Sequence, residues 1–312
     1  MSQRVSNVEK RRARSEDHPM RDVLGDRRAV VILLGPALLL YTLIKAIPVF
    51  WSFGLSFFEG NPLRGFEFVG FGNFSRFVAD PDAHTAIVVT LKYAVVVTIG
   101  QVILGYGLAL LYVFVLRKSS PFVRTLLFFP TVLPTVAVAM LFKSIFAVGD
   151  PAGPVNGILQ GLGHGAVDFF ASGGTTFLVA VIMDLWRSMG FFAILLFVGL
   201  LDIPAETLES ARIDGAGSLR LVRHIVLPLS LPILLSVVIF SFNGSLKVFD
   251  SLLALNNGGP GSETTPLTLL MFRETFDYND YGYGSTVALA LTILCFLVTI
   301  AIFRASRSDV TA

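Results

Sequence analysis

Charged residues are scarce in this chain of 312 residues. Asp, Glu, Lys and Arg make up 15% of it, whereas a soluble globular domain carries roughly 25%. Hydrophobic residues account for 54%, phenylalanine alone occupies 28 positions, and the mean hydropathy is +0.73. A chain with so little charge is atypical of a water-soluble fold, and the composition indicates an integral membrane protein.

Cysteine and the recurring metal and nucleotide motifs are also scarce or missing. The single cysteine, Cys295, lies in an apolar run, so no disulfide can form within the chain. The four histidines are scattered, and neither C-x-x-C nor H-E-x-x-H occurs, which argues against metal chemistry. No G-x-x-x-x-G-K-[ST] loop is present to hold ATP phosphates. Because no paired catalytic carboxylates or Ser/His/Asp arrangement can be recognised either, a membrane enzyme is the least favoured class.

Long apolar runs are what the chain does contain. A helix needs about 20 apolar residues to cross the hydrocarbon layer of a membrane. Six runs qualify: residues 29–53, 93–116, 126–146, 177–201, 227–248 and 285–303. They predict an all-α integral membrane fold with six transmembrane helices, the second of which can extend back toward Ala86. Pro130, Pro134 and Pro232 fall inside or near spans and predict kinks rather than breaks, because neighbouring helices can satisfy the freed backbone groups.

The residues outside these runs form two tails around one membrane domain. Residues 1–28 are basic and nearly free of large apolar side chains, which predicts a disordered tail held near anionic lipid. Residues 29–305 are the predicted transmembrane domain, and residues 306–312 are a second short tail. The first run is too long for a signal peptide and no small-residue cleavage site follows it, so we expect it to be retained.

Lysine and arginine are distributed unevenly between the two sides of the predicted spans. On one side lie eight of them in residues 1–28, Arg117, Lys118 and Arg124 after the second span, Arg212, Arg220 and Arg223 after the fourth, and Arg304 and Arg307 after the sixth. The longer loops on the other side hold Arg64, Arg76 and Arg273. Because positive residues are enriched in cytoplasmic connections, both termini and the connection after the fourth span are predicted to face the cytoplasm.

The connection between the fourth and fifth spans, residues 203–226, is much longer than a turn needs. Its sequence, IPAETLESARIDGAGSLRLVRHIV, places apolar residues at helical spacing from Leu208 to Val226, with charged residues on a neighbouring stripe. Gly215 and Gly217 interrupt the pattern, and each costs about 1 kcal/mol relative to alanine in a helix, so we expect a helix–turn–helix. The pattern alone fits a docking surface for a partner and a surface helix that orients the bundle equally well.

Residues in this connection resemble the EAA loop of permeases from binding-protein-dependent ABC importers. The family pattern is EAA, three residues, Gly, nine residues and I-x-L-P. The chain has Glu209-Ser210-Ala211, then Gly215, then Ile225-Val226-Leu227-Pro228. Ser210 replaces the middle alanine, which is one small residue for another.

Further stretches resemble the carbohydrate-uptake branch of this family, the maltose- and glycerol-phosphate-type importers. They are FVGFGNF at residues 68–74, Trp186-Arg187 followed by Gly199-Leu200, Lys247-Val248-Phe249-Asp250, and Asn257-Gly258-Gly259-Pro260. Gly190 and Asn256 stand where the family usually has Pro and Thr. The similarity covers about residues 29–305.

The resemblance implies a type I ABC importer transmembrane domain in a prokaryotic inner membrane, carrying a sugar or oligosaccharide inward. In this family two permeases, here expected to be different chains, form one path. Two copies of a cytosolic ATPase dock on the EAA loops, and a substrate-binding protein docks outside. No cofactor is implied for this chain, since ATP and Mg²⁺ belong to the ATPase, and no nucleic acid is involved. The residues to which the resemblance assigns ATPase coupling are Glu209, Ser210, Ala211, Asp214, Gly215 and Ala216.

Polar side chains inside the fourth and fifth spans are candidates for the solute path, because polar groups in a membrane are costly and usually paired or functional. They are Asp184, Trp186, Arg187 and Ser188, then Ser241, Asn243, Ser245, Lys247 and Asp250. The corresponding turns of maltose-type permeases line the sugar site, which adds Phe191, Gly244 and Val248 by resemblance. Several of these residues are small, so the site is either wide or absent from this subunit. Arg187, Lys247 and Asp250 also fit interfacial anchors or an Asp–Lys pair, and Trp186 fits an aromatic belt.

Two other functions remain open. A secondary transporter or channel driven by an ion gradient would need no ATPase, but Asp184 is the single candidate midspan carboxylate and no inverted halves are visible. An ABC permease for another solute is the second alternative. The FVG and GGP elements argue against amino acids and metals, whereas glycerol phosphodiesters remain compatible with them.

Overall fold

The computed structural model describes residues 27–116 and 120–308. The tail predicted for residues 1–28 lies outside the described residues except for its last two, and residues 309–312 also lie outside them. The described chain is mainly helical and divides into two compact units, one ending at Leu55 and the other beginning at Ser56. The sequence did not indicate this boundary, because apolar residues continue on both sides of it.

The first unit contains two helices joined end to end. Helix α1 spans Arg27–Tyr41 and α2 spans Ile47–Leu55, with a π-helical turn, Thr42–Ala46, between them. Pro48 lacks the N–H that would bond to the carbonyl of residue 44, which is consistent with a widened turn at this point. The apolar helix Val30–Leu55 has 26 residues and matches the first predicted span.

The second unit contains a short β-hairpin followed by helices of very unequal length. Strands β1 (Phe58–Asn61) and β2 (Gly65–Phe68) pair antiparallel. The helices are α3 (Gly72–Ala79), α4 (Pro81–Leu110), α5 (Ser120–Val132), α6 (Thr135–Ile145), α7 (Pro154–Gly161), α8 (Gly173–Leu201), α9 (Ala205–Ile213), α10 (Ser218–Leu221), α11 (Leu227–Ser245), α12 (Asp250–Asn256), α13 (Leu267–Phe272) and α14 (Tyr281–Ser308). Short π-helical segments follow α4 (Leu111–Leu116), α10 (Val222–Val226) and α13 (Arg273–Asp277).

Four long helical stretches of this unit match predicted spans. They are Pro81–Leu116, Gly173–Leu201, Ser218–Ser245 and Tyr281–Arg304. The second span differs most from its prediction at its start, because the helix begins at Pro81, five residues before Ala86. Asp80 explains this start, because its side chain accepts a hydrogen bond from the Asp82 N–H at 2.9 Å, and Pro81 suits the first helical turn.

The third predicted span is broken. In place of one kinked helix over residues 126–146, α5 and α6 meet at an angle of 96° across Leu133 and Pro134. Pro134 is extended, with φ −57° and ψ 130°, and a proline disfavours helical backbone at the residue before it. The expectation of a kink is therefore wrong at Pro134, whereas Pro130 and Pro232 do lie inside α5 and α11. The described residues contain five candidate spans, or six if this bent pair counts as one.

The 203–226 connection forms a helix, a turn and a second helix, as its glycines predicted. Helix α9 ends in a turn where Gly215 has a φ of +82°, a conformation that favours glycine. Helix α10 then leads through its π-helical segment into α11. Leu208 and Val226 pack into the core, but Leu219 is 81% exposed. The predicted apolar stripe is interrupted there because the turn reorients the chain.

Two glycines allow α8 to approach its neighbours closely. A Cβ at Gly105 on α4 would lie 3.0 Å from the Cβ of Phe192 on α8. At Gly190 on α8, an added Cβ would lie only 2.0 Å from the carbonyl oxygen of Leu127 on α5. Helices α4, α8 and α11 also pack on one another, so three spans enclose the polar region described below.

An ionic cluster joins α3 to the start of α14. The Arg76 guanidinium forms ion pairs with Glu274 at 3.2 Å and with Asp280 at 2.5 Å, and it lies 3.8 Å from the centre of the Tyr283 ring. The Tyr283 hydroxyl donates a hydrogen bond to Asp80. Burial raises the pKa of Glu274, and this effect exceeds the opposing effect of the Arg76 charge.

Candidate functional site

A cavity of about 380 Å³ lies between α4, α8 and α11, with α5, α6 and the start of α12 completing its wall. Ligand pockets in proteins measure about 300–1,000 Å³, so the cavity is large enough for a small solute. Ten of the twelve predicted path residues line it: Asp184, Arg187, Ser188, Phe191, Ser241, Gly244, Ser245, Lys247, Val248 and Asp250.

The Asp184 carboxylate is the most heavily bonded group in the wall. It is buried and accepts hydrogen bonds from the Tyr93 hydroxyl on α4 and from the Ser251 hydroxyl on α12, the latter 3.0 Å from each carboxylate oxygen. Arg187, one turn further along α8, approaches it with Nε at 3.4 Å. A buried carboxylate is stable only when it is paired and hydrogen-bonded. Asp184 therefore links three elements at the cavity.

A second hydrogen-bond network runs beside Asp184. The Gln101 amide donates to the Ser188 Oγ at 2.8 Å, and the Ser188 hydroxyl donates to the Asp184 backbone oxygen at 2.5 Å. The Ser241 hydroxyl donates to the Gln101 amide oxygen at 2.5 Å and lies 3.1 Å from the Thr98 Oγ1. Because Gln101 is bonded through both amide atoms, α4 orients polar groups of α8 and α11 at the same time.

Cations and aromatic rings are the groups that these networks leave available to a ligand. Asp184 engages only the Nε of Arg187, and within the described residues Lys247 has no ion-pair partner. The Phe240 ring centre lies 5.8 Å from that of Phe191 and 6.3 Å from that of Phe192. Hydrogen-bond donors thus face the cavity together with aromatic surface, an arrangement that can bind a polar solute bearing hydroxyl groups.

Trp186 and Asn243 lie away from this cavity. Trp186 packs against Phe142, with ring centres 5.8 Å apart, at the edge of an apolar core cluster. The Asn243 side chain donates to the Ile239 carbonyl at 3.0 Å and accepts from the Thr299 hydroxyl at 3.1 Å, so it faces α14. Helical spacing explains both placements, because each residue projects from a different side of its helix than its cavity-lining neighbours.

Several cavity residues were missed because they lie outside the two spans considered as the path. Tyr93 and Gln101 come from α4, Thr131 and Thr135 from the broken third span, and Ser251 from α12. A signal for the first two was present: they are polar residues eight positions apart in an apolar run, a spacing that places them on one helical face. The contribution of α12 depends on how the chain turns after α11, which no local pattern indicates.

The residues assigned to ATPase coupling lie together on α9 and the turn after it. Glu209, Ser210, Asp214 and Gly215 are exposed. Ala211 and Ala216 are half-buried, and the Ala216 N–H closes the helix end by donating to the Ala211 carbonyl at 3.0 Å. The exposed carboxylates and the turn therefore lie together in the middle of the connection.

Residues 101–310 match the family described as binding-protein-dependent transport system inner membrane components. The chain belongs to this family. As a member it is a permease subunit of an ABC importer, not an enzyme. The match includes most of the cavity-lining residues and the whole 203–226 connection.

Similar permeases of full length are known from several prokaryotes. The permease is 32% identical to the sulfoquinovosyl glycerol transport system permease protein SmoG of Agrobacterium fabrum, covering 91% of this chain and 92% of SmoG. It is also 32% identical to the multiple sugar-binding transport system permease protein MsmF of Streptococcus mutans, and the alignment covers 92% of this chain and 98% of MsmF. The trehalose/maltose transport system permease protein MalF of Thermococcus litoralis is 29% identical, and the alignment covers 88% of this chain and 92% of that protein.

A solved structure confirms the fold of the permease. A chain of a bacterial ABC transporter involved in the import of the acidic polysaccharide alginate superposes with a TM-score of 0.81. The alignment covers 92% of the permease and 98% of that chain at 20% identity. The predicted type I ABC importer fold is therefore correct.

Proposed function

We propose that this permease forms half of the transmembrane path for a sugar or oligosaccharide, carried inward at the expense of ATP. The observation that supports this most directly is the cavity between α4, α8 and α11, which presents hydrogen-bond donors beside aromatic rings. Aromatic faces and polar groups directed at hydroxyls suit a saccharide. Full-length relatives named for sulfoquinovosyl glycerol, multiple sugars and trehalose/maltose support the same class of substrate.

The energy for transport comes from a separate chain in this proposal. The permease lacks a phosphate-binding loop, so ATP and Mg²⁺ are bound by two copies of a cytosolic ATPase, and the permease itself needs no cofactor. The ATPase contacts Glu209, Ser210, Ala211, Asp214, Gly215 and Ala216. Closure of the ATPase then moves α9 as a rigid body and changes the packing of the spans around the cavity.

Three further features complete the proposed assembly. A second, different permease supplies the other half of the path. A substrate-binding protein delivers the solute on the outer side, as expected for a family defined by dependence on such proteins. The uneven distribution of lysine and arginine supports cytoplasmic termini and a cytoplasmic 203–226 connection.

Charge reversal on α9 tests the coupling role. We expect Glu209→Lys to lower solute uptake and solute-stimulated ATPase activity, because it places a cation where the proposed contact needs an acid. Uptake into proteoliposomes and ATPase activity of the complete transporter are the measurements. Glu206→Lys is the matched control, since Glu206 is exposed on the same helix but lies outside the assigned contact.

Two results would contradict the proposal. Normal coupling in the Glu209→Lys complex would exclude the α9 contact. Solute accumulation by the reconstituted permease alone, without an ATPase, would favour the gradient-driven transporter instead.

A further inference from the structure

A second and larger recess lies where the second span meets the 203–226 connection. It has a volume of about 820 Å³. One wall is the end of that span, including Gly107, Leu111 and Val115. The other consists of Arg212 and of residues between Ala216 and Val222, including Leu219; of these, only Ala216 also belongs to the residues assigned to ATPase coupling. This recess, here called the basal groove, is separate from the central cavity, because the two have no lining residue in common.

The walls of the basal groove are mainly apolar and well exposed. Val115 is 68% exposed and Leu219 is 81% exposed. Leu219 lines this groove, whereas Leu208, Ala211 and Val226 of the same stripe pack into a core cluster. Apolar side chains at the end of a transmembrane helix are in the region occupied by lipid chains, so an acyl chain can cover this surface.

Arg212 gives the groove its charge. It is the one charged side chain among the described residues that line the groove, and it has no ion-pair partner within the described part of the chain. The apolar helix of the second span ends at Leu116, so Arg212 lies near the level where lipid phosphates meet water. A guanidinium is well suited to bind a phosphate through parallel hydrogen bonds.

We propose that the basal groove binds one anionic phospholipid, with its phosphate on Arg212 and an acyl chain against Leu111, Val115 and Leu219. Basic pockets beside transmembrane helices are suited to such headgroups. The bound lipid bridges the second span and the 203–226 connection, since both line the groove. This proposal rests on the spans and the groove, and it holds whichever solute the transporter carries.

Photolabelling of the complete wild-type transporter tests the proposal directly. The transporter is reconstituted with a trace of photoreactive phosphatidylglycerol or, separately, photoreactive phosphatidylcholine. We expect the anionic probe to label peptides that contain residues 107–115 and 212–222, and unlabelled phosphatidylglycerol to compete for this labelling. Equal labelling by both probes, or labelling elsewhere only, would overturn the proposal.

Two variants separate the headgroup contact from the acyl contact. Arg212→Gln is expected to reduce the preference for phosphatidylglycerol about fivefold, which corresponds to about 1 kcal/mol for one cation near the membrane surface. Arg220→Gln is its control, because Arg220 lies on the same connection but does not line the groove. Gly107→Leu should reduce labelling by both probes, since an added Cβ meets no atom within 4 Å and the leucine can extend into the groove.

Cross-linking tests whether a protein occupies the groove in place of a lipid. If a photoreactive group attached at position 115 captures the partner permease or the ATPase in place of lipid, the groove is a protein interface and the proposal is wrong. If Arg212→Gln fails to assemble, the wild-type probe comparison and Gly107→Leu still decide between these outcomes.

Discussion

Asp184 accepts hydrogen bonds from side chains on α4 and α12 while Arg187 compensates its charge. Its two oxygens are thus already engaged in the protein. The other guanidinium nitrogens of Arg187 are therefore more accessible to a ligand in the cavity than the Asp184 carboxylate is. The residue therefore acts first as a positioning group, even though its place in an apolar span marked it as a path candidate.

We expect Asp184→Asn to lower uptake about tenfold or more, while the complex still assembles. The amide nitrogen cannot accept a hydrogen bond, so one of the two oxygens that Tyr93 and Ser251 use is lost as an acceptor. Leaving a buried polar group unsatisfied costs about 1–3 kcal/mol. Proteoliposome uptake is the measurement. Asp250→Asn is the control, because Asp250 lines the same cavity but is exposed. Equal losses in both variants would contradict a specific role for Asp184.

Glu274 provides a prediction on pH. Burial raises its pKa above the ordinary value of 4.5, so the folded protein binds this proton more tightly than the unfolded chain. The group therefore stabilises the fold at low pH, and that contribution is lost as the pH rises through the window above 4.5. We expect Glu274→Gln to gain stability relative to the wild type over this window, by no more than about 1 kcal/mol.

Thermal unfolding of the detergent-solubilised complex at several pH values measures this difference. A variant that loses stability relative to the wild type as the pH rises would show that the ion pair with Arg76 outweighs burial.

The position of a single residue at the cavity was predictable where periodicity and chemistry agreed. Ser188, Ser241 and Ser245 are polar residues on inward helical faces, and they line the cavity. Trp186 looked equally suitable by chemistry, but its direction around α8 turns it toward Phe142. Chemistry identifies candidates, whereas the direction of a side chain depends on helix packing, which the sequence does not display.

Close helix contacts give a prediction at the level of elements. Gly190→Ala should destabilise the permease by about 1–3 kcal/mol, because its new Cβ would lie 2.0 Å from the Leu127 carbonyl oxygen and force α8 away from α5. Gly174→Ala, near the start of the same helix, is the control, since its Cβ would meet no atom within 4 Å. Thermal unfolding of the purified complex should therefore distinguish the two variants. Equal melting temperatures would show that α5 can shift without loss.

The existence of the spans was predictable because long apolar runs admit few other structures in a membrane. The residues at which the spans begin and end were harder to predict. The first turn of α4 contains polar residues, and the start of that helix is marked by the cap at Asp80 and by Pro81. The break at Pro134 was also missed. A proline in a membrane helix is compatible with both a kink and a break, and the packing of α6 against α12 is a tertiary contact.

Topology is the prediction for the molecule as a whole. In a Cys295→Ser background, we expect a cysteine at Asp277 to react with a membrane-impermeant maleimide on intact cells. A cysteine at Glu206 should react only after the membrane is permeabilised. Both positions are exposed, so accessibility to the reagent depends on the side of the membrane. The reverse pattern would overturn the orientation inferred from lysine and arginine.

The break at Pro134 leaves α6 too short to cross the membrane, and α6 packs against α12, which is also short. Both lie toward the end of α8 that is remote from the 203–226 connection, as the bond from the Asn256 amide to the Phe170 carbonyl shows for α12. On that side the cavity is bordered by these two short helices, which supply Thr135 and Ser251 to its wall. Because the Ser251 hydroxyl of α12 is bonded to Asp184, a displacement of these two helices would also change the hydrogen bonds in the wall of the cavity.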